Sequence, residues 1–339
     1  MRVWGRLALG AALALVPVGL QAEMGALERD ARSEGHLTWY VAHYTSEAAA
    51  DLANAFGDRY GVKVKVVHTT AQVSYQRLLQ DLKNKQAICD VFSSTDVGHY
   101  VRLKDKGYLA RYEPQNAAKI AEPFRSFDRD GFYHATSAGF VLLTYNTTEL
   151  PVDRAPKKWT DLLELEWKHR IATGHPGFSG YVGTWAVAMR KLYGWSFFER
   201  LEKNKPQIGR SINDTLSMLS AGQRQLGVGA AGPTLARATR GSPLAITFPA
   251  DGAVLVIAPS AVMKDSRNPN AARLFIEFLN STEASRINAA HFAVPIRPEV
   301  TSPPGLRPLQ SVKTIRPTVS EIAQGIPEVI DQWRETFGN

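Results

Sequence analysis

From Leu37 onward, short apolar runs alternate with amphipathic stretches. LTWYVA is apolar and rich in β-formers, which predicts a strand. SEAAADLANAFGDRYG follows, with Leu52, Ala55, Phe56 and Tyr60 on one helical stripe and Gly61 closing it. VKVKVVH alternates apolar and basic positions, as a half-buried strand does. SYQRLLQDLKNK then reads as a helix, AICDVFSS as a strand, and TDVGHYVRLKDKGYL as a helix opened by a Ser/Thr/Asp cap. Successive strand–helix units of this kind predict an α/β chain with a largely parallel, doubly wound sheet.

A second block opens at GFYHATSAGFVLLTYNT, a long extended segment, and continues through KKWTDLLELEWKHRIATGHP to a helix from about Gly180 to Tyr193. The helix SINDTLSMLSAG and the strand RQLGVGA follow, and LAITFPADGAVLVIAPSAVMK is extended again. NPNAARLFIEFLNSTEAS predicts one long amphipathic helix, started by Asn268-Pro269 and buried along Ala272, Phe275, Ile276 and Leu279. No repeat or low-complexity linker separates the blocks, so strands join them.

The first residues have a different pattern. Arg2 and Arg6 precede an acid-free apolar run from Leu7 to Leu20, too short for a comfortable membrane span, and Gln21-Ala22 ends on a small residue. Residues 1–22 are therefore predicted to be a signal peptide that sends the protein to the periplasm. No cysteine follows the run, which argues against a lipid anchor. Losing the two arginines lowers the formal charge of the 339-residue chain from +8 to +6. The basic residues are dispersed, without a basic run or zinc-knuckle spacing, so no nucleic-acid partner is expected. Cys89 is the single cysteine, which excludes an intrachain disulfide, and its apolar setting predicts a buried, inert thiol.

YNTTELP with PKKWTDLLELEWKHRI, then LSAGQRQLGVG, then FPADGAVLVIAPSAVMKDSRNPNAARLFIEFLNSTEAS resemble, in this order, elements of the bacterial periplasmic solute-binding proteins of ABC importers, in the family that includes the ferric-iron binders. The resemblance implies a type II periplasmic-binding-protein fold, with two α/β lobes joined by a strand hinge and one ligand in the cleft between them. It implies that residues 23–125 and 251–315 form lobe one, residues 126–250 lobe two, and residues 316–339 a helical tail. It further implies a monomer that captures a small solute by hinge closure and hands it to an inner-membrane ABC permease, with no cofactor and no catalysis. A ligand sensor for a membrane receptor remains an alternative role.

Ligands of open α/β lobes lie beyond the carboxyl ends of strands, where loops enter helices. Four such loops stand out: His43, Tyr44 and Thr45 after the first strand; Ser93, Ser94 and Thr95; Thr136 and Ser137; and Ser179, Gly180, Tyr181 and Thr184. Hydroxyls and free helix-start amides suit an anion such as a carboxylate or phosphate, while for any single Ser or Thr the default role is a helix cap. His175 reads as a turn residue before Pro176, Asn213 and Asp214 as caps, and Trp185, Trp195 and Phe198 as core.

Among the related ferric binders, tyrosinates hold the iron, and Tyr44 and Tyr181 match two such positions. The adjacent tyrosine pair of those proteins is replaced here by Ala230-Ala231-Gly232, and the small Ala230 and Ala231 leave room for a larger ligand. A small organic or phosphorylated anion is therefore expected, with ferric iron on Tyr44 and Tyr181 as the alternative.

Enzyme motifs fail on spacing or context. In PGFSGY, Gly180 follows Ser179 directly, which breaks the nucleophile-elbow pattern. Gly227 to Gly232 spells G-x-G-x-x-G with Asp251 about 20 residues on, as a dinucleotide fingerprint would. Pro233 and the short TLARATRG stretch leave it without the full helix such a site needs, and the hexad is expected to be a strand end and loop.

Overall fold

The computed structural model describes residues 18–125 and 127–338. Most of the predicted signal peptide lies outside the described residues; from Val18 it enters the helix Val18–Glu34. Among the described residues, no helix is long and apolar enough to cross a membrane.

The strands are β1 His36–Val41, β2 Lys63–His68, β3 Val91–Ser93, β4 His134–Asn146, β5 Ile171–Thr173, β6 Gln207–Ile208, β7 Leu226–Ala230, β8 Leu244–Thr247, β9 Ala253–Val262 and β10 Thr314–Ile315. They hydrogen-bond in the order β2-β1-β3-β9-β4-β7-β5-β6, with β10 beside β9 and β8 beside β4. β1 runs parallel to both β2 and β3, as the strand–helix alternation predicts. β5 runs parallel to β6 and β7.

The two halves meet on β4 and β9, the longest strands, which pair antiparallel from His134↔Ser260 to Val141↔Val254. The far end of β9 pairs with β3 in one half, and the far end of β4 pairs with β7 and β8 in the other. Continuous backbone thus passes twice between two α/β halves. This is the two-lobed architecture with strand crossovers that the sequence resemblance implies.

The buried aromatics form one cluster around Trp39 and a larger one that spans both halves, from Phe92 and Tyr100 to Trp185 and Trp333. Trp39 packs edge-on against Phe275, which packs edge-on against Phe56. In the larger cluster Trp185 meets Phe198, which meets Trp333. Trp39, Trp185, Phe198 and Trp333 are fully buried, and each such ring contributes on the order of 2–3 kcal/mol of apolar burial. Cys89 is buried and donates to the Val91 carbonyl at 3.2 Å, and burial pushes its thiol pKa up.

The helix Val319–Phe337 starts at a reciprocal cap, with Thr318 N–H on Glu321 Oε2 at 2.8 Å and Glu321 N–H on Thr318 Oγ1 at 3.2 Å. It packs against the helix Val97–Asp105 of one half and the helix Gly180–Tyr193 of the other.

Two local expectations need correction. The long helix expected over residues 268–285 breaks into Pro269–Leu279 and Thr282–Ala290. Ser281 Oγ accepts the Ala284 N–H at 3.1 Å, so a second cap interrupts what apolar periodicity alone would continue. The hexad at 227–232 has no loop either: β7 runs directly into the helix Ala231–Thr239. Its glycines answer to packing. A Cβ on Gly227 would lie 2.2 Å from the Ala172 carbonyl oxygen, and one on Gly229 would lie 2.3 Å from Thr144 Oγ1.

Candidate ligand-binding site

A cavity of about 270 Å³ lies between the two halves. Its walls are built largely from the beginnings of helices. Thr45 and Ala48 line it at the helix Ser46–Tyr60, and Thr70 and Ala71 at the helix Ala71–Lys83. From the other half come Ser179 and Tyr181 at Gly180–Tyr193, Ser211 to Asn213 at Ile212–Ser220, and Ala230, Gly232 and Pro233 at Ala231–Thr239.

Helix starts carry unpaired N–H groups and partial positive charge, so five of them around one space create an anion-attracting field. Thr70, Ser179 and Ala230 give their helices no side-chain cap, and in the last of these helices Pro233 contributes no N–H to the first turn. Among the described residues lining the cavity there is no Asp, Glu, Lys or Arg. The described wall therefore holds no carboxylate, ammonium or guanidinium, and backbone dipoles and the three histidines His43, His68 and His291 shape its potential.

Of the residues singled out in the sequence, His43, Tyr44, Thr45, Thr95, Ser137, Ser179 and Tyr181 come together on this wall. Ser93, Ser94, Thr136, Gly180, Thr184 and Ala231 do not line it. Ser93 Oγ accepts from Trp39 Nε1 at 2.7 Å and bonds Ser260 Oγ at 2.6 Å, and Ser94 Oγ bonds His99 Nδ1 at 3.0 Å. Thr136 Oγ1 also bonds Ser260 Oγ, at 2.7 Å. These hydroxyls tie the crossover strands to the loop after β3. Thr184 and Ala231 are buried behind the wall. Gly180 lies against the backbone of Thr95 and Asp96, where close approach leaves no room for a side chain.

The alternative assignments also find their places. His175 Nδ1 accepts the Gly177 N–H at 2.9 Å in a tight turn, and Trp185 and Phe198 are core. Trp195 is half-buried, with Nε1 donating to Thr336 Oγ1 at 2.9 Å. Asp214 Oδ2 accepts the Ser211 N–H at 2.7 Å, as a cap does, whereas Asn213 faces the cavity.

His43 is only 9% exposed, and neither ring nitrogen has a hydrogen-bond partner. Burial, then the neighbouring His68, lowers its pKa to about 3, so the ring is neutral near pH 7. His68 is fixed differently: its Nε2 lies 2.8 Å from the Tyr44 carbonyl and its Nδ1 3.3 Å from Ser46 Oγ. Tyr44 donates its phenol to the Thr136 carbonyl at 3.0 Å, and burial raises its pKa. Burial also pushes Tyr181 up to about 12. Both phenols are therefore protonated donors at neutral pH. Among the described residues, no group of three or more His, Cys, Asp or Glu is placed to hold a metal ion.

Several wall residues are not among those singled out in the sequence. His68 ends β2 and Thr69 and Thr70 follow it, where a strand-to-helix loop rule finds them. Asn288, His291, Phe292 and Ala293 come from the end of the helix Thr282–Ala290 and the turn after it, which only the chain's return across the sheet brings to the cavity.

Comparison with known proteins agrees with this geometry. A family model described as bacterial extracellular solute-binding protein matches residues 37–292. A Salmonella typhimurium (strain LT2) protein named "Putative 2-aminoethylphosphonate-binding periplasmic protein" is 23% identical over 342 residues, spanning 96% of this chain and 95% of its own. The periplasmic binding protein AfuA from Actinobacillus pleuropneumoniae, with exogenous fructose-6-phosphate bound, superposes with a TM-score of 0.81 at 20% identity, covering 90% of this chain and 99% of its own. Iron-bound HitA from Pseudomonas aeruginosa superposes with a TM-score of 0.76 at 20% identity, covering 89% and 99%. At these identities the structural likenesses establish the fold.

Proposed function

The chain belongs to the bacterial extracellular solute-binding protein family, and on that premise we propose that its cleft captures a small phosphorylated or carboxylated organic anion. As a family member it is a periplasmic binding protein of an ABC importer and not an enzyme. The observation that carries the ligand class is the convergence of five helix starts, from both halves, on one cavity whose described wall holds no Asp, Glu, Lys or Arg.

A phosphoryl or carboxylate head would lie against the first-turn amides, with Ser137, Ser179, Tyr181 and the His43 ring as polar neighbours. The absence of a carboxylate from the described wall favours a hydroxylated ester over an ammonium-bearing phosphonate. Asp51, next to the wall, is already bonded to His291 Nε2 at 2.7 Å. The names of the Salmonella relative and of the AfuA complex point to the same phosphoryl chemistry.

Contacts from both lobes form together only when the lobes close, so the ligand shifts the population towards the closed form. That form is what an inner-membrane permease would recognise. The cavity, at about 270 Å³, lies just below the range of about 300–1,000 Å³ for small-molecule sites. A single compact solute per monomer fits that size.

The test is a thermal-shift panel of sugar phosphates, phosphonates, carboxylates and ferric salts on the mature protein. A ligand at 100 times its Kd stabilises by about 2.7 kcal/mol, which is several degrees for a protein of this size. If no phosphorylated or carboxylated anion moves the melting curve, the anion assignment fails.

A second reading is ferric iron, favoured by the presence of Tyr44 and Tyr181 on the same cavity wall. It predicts an orange-red protein after ferric loading, bleached by Tyr181→Phe. A protein that stays colourless retires that reading.

A further inference from the structure

Phe178 lines two spaces. One is the ligand cavity; the other is an outer groove formed with Gln72, Val73, Arg77 and Lys83 of the helix Ala71–Lys83. Among the described residues, no other side chain belongs to both. Phe178 thus borders both the cavity of about 270 Å³ and a groove bearing two basic residues.

The ring is held in place. The Arg210 guanidinium lies 4.9 Å from the Phe178 ring centroid, a cation–π arrangement. The His175 ring packs against it at 5.4 Å, and the Phe178 N–H donates to the His175 carbonyl at 3.2 Å. His175 also meets Trp333 of the C-terminal helix at 6.1 Å. The turn that presents Phe178 is therefore anchored on a fully buried tryptophan.

We propose that Phe178 is the specificity-determining wall of the cavity: it fixes the longest anion that fits. A ligand tail that passed it would enter the groove beside Arg77 and Lys83. The proposal rests on the anion reading above, because it concerns the length of that ligand. A long ligand must push the ring off Arg210 and out of its packing, whereas a short one uses the ring as an apolar surface. One methylene in a close-fitting apolar pocket changes discrimination by about 10–200-fold, so the loss of a whole ring is amply measurable.

The experiment measures Kd by calorimetry for glycerol 3-phosphate, ribose 5-phosphate, a hexose 6-phosphate and a heptulose 7-phosphate. It compares the wild type with Phe178→Ala and Phe178→Trp. The wild type is expected to show a length beyond which affinity falls at least about tenfold. Phe178→Ala should move that limit to longer esters and weaken the best short ester by about tenfold, while Phe178→Trp should move the limit to shorter ones.

If wild type and Phe178→Ala rank the series identically with the same limit, the proposal is overturned. Binding of no member to the wild type would sink the phosphate reading instead. The wall would then be judged on the crystal structure of Phe178→Ala. Cavity and groove joined into one space supports it, and a neighbouring side chain closing the gap overturns it.

Discussion

Gly180→Ala is the most informative single change, because the structure sets its size in advance. Gly180 has no left-handed φ, so glycine is needed there for room and not for its backbone. A Cβ would lie 2.4 Å from the Thr95 carbonyl carbon and 2.6 Å from both the Thr95 oxygen and the Asp96 nitrogen, where ordinary contact begins at 3.4 Å. All three are backbone atoms, so no rotamer change relieves the clash, and the segments must separate by roughly 1 Å. Thr95 follows β3 and Gly180 follows β5, on opposite sides of the β4/β9 crossover. The separation therefore acts between the halves. Overpacking of this kind costs about 1–3 kcal/mol. If the juxtaposition belongs to the closed form, the unliganded protein escapes the cost by opening, and only ligand binding suffers. That predicts a loss of affinity of about 5–150-fold with a melting temperature near wild type in the absence of ligand. Gly57→Ala is the control, since its Cβ would meet the Val62 oxygen at an ordinary 3.4 Å inside the helix Ser46–Tyr60. It should be neutral or slightly stabilising. Calorimetry and a melting curve on the same sample decide the matter. Unchanged Kd with a melting temperature lowered by the full overpacking cost would make the contact a permanent part of the hinge and refute the reasoning.

Two further predictions concern histidine. His43→Leu removes two buried nitrogens that have no partner, so it should stabilise the unliganded protein by about 1 kcal/mol and weaken anion binding at least about tenfold. A destabilised variant with intact affinity would show that the ring is purely structural. Acid titration follows from the same burial. His43 is lowered to about 3, His99 to about 4, and His134 is lowered too, all chiefly by burial. Between the unfolded value near 6.5 and these folded values the unfolded chain binds protons that the folded chain does not. Stability is therefore complete above about pH 6.5 and falls with acid, by up to about 1.4 kcal/mol per pH unit for each such histidine. Urea midpoints at pH 7, 6 and 5 test this. A flat profile in wild type, or an equal slope in His43→Leu, contradicts the assignment.

The path from sequence to fold was legible where local and global demands agree. The alternation from Leu37 to Leu109 predicts parallel pairing, and β1 has parallel neighbours on both sides. The long extended segments predict crossover strands, and β4 and β9 are those strands. Periodicity failed at Asn280-Ser281, where a cap ends one helix and starts the next without disturbing the apolar stripe. For the site, the rule that ligands meet the carboxyl ends of strands located seven wall residues, because it describes where a chain must turn. It could not rank hydroxyls. Thr95 and Ser137 face the cavity, while Ser94 and Thr136, one position away on the chain, are spent on His99 and Ser260. In extended backbone, adjacent residues point to opposite sides, so one step decides between ligand and scaffold.

The hexad at 227–232 shows how the same letters serve different physics. In a dinucleotide site the glycines let a pyrophosphate approach the backbone. Here Gly227 and Gly229 let the neighbouring strands and Thr144 approach it instead, and that tight packing carries β7 straight into the helix Ala231–Thr239. What survives of the motif is its last feature, a helix start at the cavity, with Gly232 and Pro233 on the wall. One helix start is weak evidence for an anion anywhere in a sequence. Its weight here comes from four others meeting it across two lobes, a convergence that depends on the β4/β9 crossover and is invisible until the chain is folded. On the proposed anion reading the ligand class is a property of the assembled cavity, so single-residue substitutions at one helix start should weaken binding modestly, while separating the lobes at Gly180 should weaken it through all five.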